Sequence, residues 1–471
     1  MRAGIFCLLL FPVFASAQLQ EIINEWEKDK DLRNASIGFS VIDTRSGKTI
    51  SEYHASTALV PASTLKVVTT GAALAILGNN FRYTTKLAYT GTFDKVTGII
   101  NGDLVIIGSG DPSLQSDYFN SENENLTDKW AIALKEKGVK GITGTIIADA
   151  SCFERTIPDQ WIWGDIGNYF GAAPCGLTFR DNKFGMFFNS GKQGEQAILS
   201  EIQQPYLKNK IEIRSDVSSN GDSDEAYVYG DPFGWKKLVS GTIPPERKNY
   251  QVEAALPDPA LLCAESLFTS LTKAGIKCQS DVRTVYEKND SLNYTLLYSH
   301  TSPTVDQLIY HTNLKSNNLY CESLLLTMGK GKRNAGINAV KKYWQTKGLD
   351  STEVFMSDGC GLARSNVVTP QFLASVLSKT RRDSIAYKII SNSLPVAGKR
   401  GSMASVGNGS DIEGRLRAKT GYISRVRSYA GYVTSKSGKE LAFAVIFNNY
   451  NCTPTQAKQK IERFLIALYS L

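Results

Sequence analysis

Pro61-Ala-Ser63-Thr-Leu65-Lys66-Val-Val-Thr-Thr-Gly71-Ala-Ala-Leu-Ala-Ile-Leu77-Gly78 opens with a serine and a lysine three residues apart, then runs on almost wholly apolar. A run that is apolar on every side and closes at Gly78-Asn79-Asn80 predicts a buried helix with a C-terminal stop. Ser63 then lies in its first turn, with Lys66 on the same face. A helix start offers unpaired N–H groups and partial positive charge, both suited to a developing oxyanion. A serine hydroxyl is a weak nucleophile until a neighbouring base removes its proton, and a lysine does this only when neutral. Burial and a second nearby cation both favour that form. A serine capping a core helix, with a lysine reaching out to water, would read the same locally. The decision therefore rests on the rest of the chain.

Two further stretches bear on it. Leu314-Lys-Ser316-Asn317-Asn318-Leu319 interrupts a helical pattern over residues 305–328. A polar kink in a buried helical pattern is costly unless its groups are used. Ser316 suits a proton relay and Asn318 suits a bond to Lys66 or to a substrate amide; a helix-capping cluster is the plainer reading. Arg417-Ala-Lys419-Thr420-Gly421-Tyr422-Ile423 precedes two strand patterns, 428–434 and 441–448, joined by a turn at 435–439. This predicts an active-site edge strand beside a hairpin. Lys419 would attract a substrate carboxylate, Thr420 would hydrogen-bond it, and Gly421 would let a ligand approach the backbone. The N–H of Tyr422 would join that of Ser63 as an oxyanion hole. Each motif alone is weak, since Ser270 to Lys273 repeats the first and 121–123, 218–220 and 291–293 repeat the second. Their order and settings carry the argument.

Ser-x-x-Lys, Ser-x-Asn and Lys-Thr-Gly form the set shared by class A β-lactamases and penicillin-binding proteins, with Asn317 here where the set usually has Asp. Three more stretches extend the likeness. They are Asn101-Gly-Asp-Leu-Val-Ile-Ile-Gly-Ser-Gly-Asp-Pro-Ser-Leu114, Trp161-Ile-Trp-Gly-Asp165-Ile-Gly-Asn-Tyr-Phe-Gly-Ala172 and Asp358-Gly-Cys360-Gly-Leu-Ala-Arg364. Over essentially the whole mature chain the sequence resembles the penicillin-binding protein 4 type of D-alanyl-D-alanine carboxypeptidase and endopeptidase. These are the class C low-molecular-mass penicillin-binding proteins.

The resemblance implies an α/β (α+β) serine β-lactamase/penicillin-binding-protein transpeptidase-like fold carrying a large nested, mainly β insertion. The residues agree. Residues 19–32 read as an amphipathic helix, 36–42 and 48–53 as a hairpin, and Thr453-Pro454 opens a last helix with Ile461, Phe464, Leu465 and Leu468 on one face. These elements and the C-terminal hairpin make one helix-covered sheet. Between Ser63 and Ser316 lies far more chain than such a fold needs, much of it strand-like with Gly and Asn turns, as at 141–148 and 210–217. The expected division is a signal peptide (1–17), a catalytic domain (18–85 and 305–471), an insert domain II (86–110 and 198–304) and a nested insert domain III (111–197).

The implied activity is that of a serine D-alanyl-D-alanine carboxypeptidase/D,D-endopeptidase. It would act on peptidoglycan stem peptides through an acyl-enzyme on Ser63 and be acylated by β-lactams. Ser63, Lys66, Ser316, Asn318 and Lys419 are the expected catalytic residues, Ser63 and Tyr422 the oxyanion hole, and Thr420 and Gly421 the substrate grip. Resemblance also places Arg364 near the pocket for the peptide side chain, and Asp165 is a second candidate there. Cys360 stands where the family has Ser, which bears on that pocket's shape. No cofactor or metal is implied. A secreted β-lactamase would use the same motifs, but the Glu-x-x-Leu-Asn stretch of class A enzymes is missing. A catalytically silent cell-wall-binding protein would need no nucleophile–base pair.

Composition narrows the setting. The chain has 471 residues, enough for two or three domains. Arg2, an apolar run over 5–14 and Ala15-Ser16-Ala17 read as an export signal cleaved before Gln18. The expectation is a secreted protein, periplasmic or extracellular, without a membrane span. Seven cysteines remain beyond Cys7, so at least one is unpaired, and Cys152 with Cys175 is the first pair to consider. Three histidines in no ligand spacing argue against zinc and against a Ser-His-Asp triad. The net charge of +8 is spread without a basic tract, which disfavours nucleic acid and allows peripheral contact with an anionic envelope. Nothing in the sequence sets the oligomeric state.

Overall fold

Strands from opposite ends of the chain meet in one sheet. In the structure, a computed structural model that describes residues 11–119, 125–279, 281–288 and 293–471, strand Ser36–Asp43 pairs antiparallel with Glu440–Asn448, Ile37 opposite Phe447 and Val41 opposite Phe443. The sheet order is Thr49–Tyr53, Ser36–Asp43, Glu440–Asn448, Val426–Thr434 and Arg417–Ile423. The bulky odd-numbered side chains Ile37, Phe39, Val41, Phe443, Val445 and Phe447 set this register, because a one-residue slip would turn them to the other face. The odd-numbered side chains Phe39, Val41, Phe443, Val445 and Phe447 face the terminal helices, Phe11–Lys28 and Pro454–Tyr469. Trp26 of the first lies edge-on to Phe447, with centroids 4.9 Å apart, and Ile461, Phe464, Leu465 and Leu468 of the second are buried in the same cluster. Thr453 caps the last helix through a reciprocal bond with Gln456. The other face receives helix Pro370–Arg381, where the Tyr432 hydroxyl donates to Leu377 O at 2.9 Å.

The first described helix runs to Lys28 rather than the expected 32, and residues 1–10 of the expected export signal lie outside the described residues. The chain divides into two compact units, Met1–Asn79 with Val305–Asn317 and Ile337–Leu471, and Asn80–Thr304 with Asn318–Gly336.

In the first unit the apolar run of residues 66–77 is the helix Lys66–Leu77, closed by Gly78 at φ 88°. Ser63 does not lie in its first α turn, as expected, but in a preceding 3₁₀ turn, Ala62–Leu65. Gly71 lets this helix approach helix Arg333–Thr346, since a Cβ there would lie 2.8 Å from the Trp344 ring. The indole N–H of Trp344 donates to Val68 O at 3.0 Å and fixes the contact. Gly71→Ala should therefore destabilise the protein by about 1–3 kcal/mol through overpacking. Urea unfolding checks this, and an unchanged midpoint would show that Trp344 yields without cost.

The second unit is built of short strands packed with helices that include Leu126–Glu136 and Pro259–Lys273. Its largest sheet has the order Val282–Val285, Ile146–Asp149, Leu104–Ile107, Thr84–Tyr89, Thr295–Thr301. Trp130, Leu134, Leu262, Leu267 and Leu271 fill the core. The strand expected over 141–148 is two pieces, Gly141–Ile142 and Ile146–Asp149, in different sheets. Gly144 sits at the break, where a Cβ would be 2.6 Å from Gly102 O. The strand expected over 210–217 runs Glu212–Ser219. Cys152 and Cys175 remain thiols, as do the other described cysteines, and Cys152 Sγ donates to Gly176 O at 3.4 Å. Burial pushes the Cys175 thiol up to about 12, so it is not readily a thiolate. No helix among the described residues is long and apolar enough to cross a membrane.

Candidate active site

The serine turn is tied to the sheet before and after Ser63. Asn448, ending the central strand, accepts from Val60 N at 2.7 Å and donates to Val60 O at 3.0 Å. One residue on, Pro61 O accepts the Thr64 hydroxyl at 2.7 Å and also the Ser428 hydroxyl. Ala62, at φ 46°, completes the turn that presents Ser63. The next helical residue, Lys66, is fully buried, and its Nζ donates to Ser63 Oγ at 3.0 Å and to Cys360 O at 2.7 Å. Nucleophile and amine are thus within proton-transfer distance.

The Cys360 carbonyl is the site component that the sequence did not announce. Asp358 organises its loop, accepting from Gly361 N and Ala363 N at 2.6 Å each and from Asn366 Nδ2 at 2.9 Å. Gly359 O, one residue before, accepts the Thr69 hydroxyl at 2.7 Å. Asp-Gly turn chemistry was the available signal for this loop. Its bond to Lys66 comes from the main chain, so cysteine in place of serine at 360 leaves that bond intact.

Lys419 lies on the edge strand and is fully buried, its Nζ donating to Ser316 Oγ at 2.9 Å and to Thr420 O at 2.7 Å. Ser316 follows helix Val305–Leu314 and has φ 58°, a left-handed conformation that costs a non-glycine residue energy and is often kept where a side chain must be aimed. Gly421 abuts the serine turn, for a Cβ there would fall 2.2 Å from Ser428 Oγ, 2.6 Å from Pro61 O and 3.1 Å from Ser63 N. The Thr420 hydroxyl is 2.6 Å from that of Ser402. Tyr422 is half exposed, and Arg364 donates to Ser424 O at 3.2 Å, just beyond this strand.

Eight of the expected residues, Ser63, Lys66, Ser316, Arg364, Lys419, Thr420, Gly421 and Tyr422, therefore stand in the first unit, around one serine turn and one strand. Asn318 and Asp165 belong to the second unit. Asn318 opens helix Asn318–Met328 and its amide donates to Phe170 O at 2.7 Å, while Asp165 lies in the short helix Trp163–Ile166 of the same Trp-rich stretch. These two are drawn to one region of that unit.

A serine hydrogen-bonded to a buried lysine, a second lysine–serine pair and a Lys-Thr-Gly edge strand define the active-serine acyl-transfer enzymes of penicillin-recognising fold. Residues 18–468 match the D-Ala-D-Ala carboxypeptidase 3 (S13) family, and the chain belongs to that family of serine-type peptidases. It is 27% identical over 475 residues to a D-alanyl-D-alanine carboxypeptidase of Actinomadura sp. (strain R39), covering 96% of this chain and 85% of that protein. The crystal structure of penicillin-binding protein 4 from Haemophilus influenzae superposes with a TM-score of 0.79 at 24% identity, covering 95% of this chain and 98% of the other. The same protein complexed with a β-lactam gives 0.76 at 23% identity, with the same coverage.

Proposed function

We propose that this enzyme hydrolyses the D-alanyl-D-alanine ends and the cross-links of peptidoglycan stem peptides through an ester on Ser63. The carrying observation is the pair of lysine–serine contacts, Lys66 to Ser63 at 3.0 Å and Lys419 to Ser316 at 2.9 Å. Ser63 Oγ attacks the carbonyl carbon of the penultimate D-alanine while Lys66 Nζ takes the hydroxyl proton. The N–H groups of Ser63 and Tyr422 hold the oxyanion. The C–N bond then breaks and the amine leaves with a proton returned through Ser316 from Lys419 or Lys66. Water cleaves the ester to release the acid and restore Ser63. Lys419 and Thr420 grip the terminal carboxylate of the leaving group, Gly421 clears space for it, and Asn318 binds a substrate amide. Arg364 and Asp165 contact the stem-peptide side chain. A leaving D-alanine makes the reaction a carboxypeptidase step, and a cross-linked D-amino centre makes it an endopeptidase step.

Residues 1–17 would direct export to the periplasm or the cell exterior, where this substrate lies. Within the enzyme, residues 86–110 with 198–304 and residues 111–197 form the two nested insert domains, leaving 18–85 and 305–471 as the catalytic domain. The penicillin-binding protein 4 structure with a bound β-lactam supports the expectation that β-lactams acylate Ser63. Ring opening keeps the leaving amine tethered, so the ester should outlive that of a peptide. Intact-protein mass after brief exposure to benzylpenicillin should show one whole-drug adduct on the wild type and none on Ser63→Ala. An adduct that persists on Ser63→Ala would assign the nucleophile elsewhere. Drug consumption by the wild type without any adduct would favour β-lactamase turnover instead.

A further inference from the structure

The edge strand Arg417–Ile423 has a charged neighbour that none of the motifs includes. In its pairing with Val426–Thr434, Thr420 stands opposite Tyr429 and Tyr422 opposite Arg427. Directly opposed residues project to one face, so these four side chains form one patch. Within it the Arg427 guanidinium lies 5.3 Å from the Tyr422 ring centroid and 5.8 Å from that of Tyr429, and its Nε donates to the Tyr429 hydroxyl at 3.2 Å. Tyr429 is buried whereas Tyr422 is half exposed, so the cation is anchored on one side and open on the other.

Arg427 differs in this from two arginines of the same unit. Arg381 is paired with Glu440 and Arg463 with Glu25, both at 2.7 Å. No carboxylate among the described residues pairs with Arg427, and Nε is its one N–H in a hydrogen bond there. A guanidinium presents five N–H groups in a rigid fork matched to a carboxylate. Aromatic faces hold such a cation in place without neutralising it. The diagonal step from Arg427 to Thr420 is one that a long side chain spans across an antiparallel pair. We propose that Arg427 is a second cation for the free carboxylate gripped by Thr420 and Lys419, held ready by the two tyrosines. The inference rests on the reading that this strand receives a carboxylate-bearing leaving group.

Acylation by benzylpenicillin and by its methyl ester tests it, because the two differ at the carboxylate alone. The second-order rate constant of the free acid should fall by about 10- to 100-fold in Arg427→Gln, the range for losing a charged hydrogen bond. That of the ester should stay within about twofold, so the acid-to-ester ratio collapses. Arg427→Lys, which keeps the charge and loses the fork, should restore part of that ratio. A role confined to packing against Tyr429 would lower both rates together, and equal falls would overturn the inference, as would an unchanged ratio. A wild type that forms no adduct with either compound would instead overturn the acyl-enzyme reading, and this inference with it.

Discussion

Lys66→Met should slow acylation of Ser63 by benzylpenicillin by about 10³-fold or more, toward the upper end of what a positioned general base contributes. Methionine is close to lysine in length, so it fills the same buried channel, but it accepts no proton. The Lys66 amine touches the nucleophile at 3.0 Å and is held there by Cys360 O at 2.7 Å. Removing it also leaves that buried carbonyl short of a donor, at a cost of about 1–3 kcal/mol in stability. The two effects separate by measurement, since stopped-flow acylation reads the first and urea unfolding the second. Lys66→Arg sharpens the test. A guanidinium keeps the positive charge and its hydrogen bonds, but it does not give up its proton in a protein. If Lys66 acts as base, the arginine variant is as slow as the methionine one. If Lys66 only stabilises negative charge, arginine restores much of the rate. A methionine variant within tenfold of the wild type would remove Lys66 from the chemistry.

The parts of this site that were legible in the sequence are those set by side chains at short range. Ser63 and Lys66 are a local pair, and an apolar run followed by glycine announces the helix they introduce. The sheet was legible for a related reason, because 36–43 and 440–448 both read as short apolar strand runs with their bulkiest side chains mostly at odd positions. The 3₁₀ turn was not. Ala62 at φ 46° carries no local preference for that conformation, and the reason lies far along the chain, where a Cβ on Gly361 would be 1.9 Å from Ala62 O. Two backbones in contact leave only a glycine as their trace. The Cys360 carbonyl was hidden in the same way, since any residue supplies a carbonyl and only the Asp358-centred turn aims it. Asn318 shows a third limit. Its polar character was legible, but its partner Phe170 O is a main-chain atom 148 positions away. The strand expected over 141–148 failed where Gly144 must pass close to Gly102, and glycine inside a strand pattern is the usual mark of such a break.

Gly421→Ala is the other substitution with a large expected effect, and it tests whether backbone contact positions the nucleophile. The new Cβ would fall 2.2 Å from Ser428 Oγ, 2.6 Å from Pro61 O and 3.1 Å from Ser63 N. Ser428 Oγ can rotate away, although it then abandons its bond to Pro61 O. Pro61 O and Ser63 N are main-chain atoms, and Asn448 clamps the residue before them through Val60. The outer side of the edge strand is bonded at its start, where Ala418 N donates to Pro395 O at 3.0 Å, and no strand pairs with it beyond, so its Gly421 end is the partner more free to move. Such a shift would carry Lys419, Thr420 and the Tyr422 N–H away from Ser63 together. A displacement of about 1 Å in a reacting constellation costs about 10²-fold, and kcat/KM should fall at least that far. The stability loss should stay within about 1–3 kcal/mol, because the strain lies at a sheet edge rather than in the core. Adding Ser428→Ala removes the nearest of the three contacts and leaves the main-chain ones, so it should recover stability more than activity. Equal recovery of both would place the damage in the Ser428 side chain, and wild-type activity in Gly421→Ala would show that the strand and the serine turn do not need this contact at all.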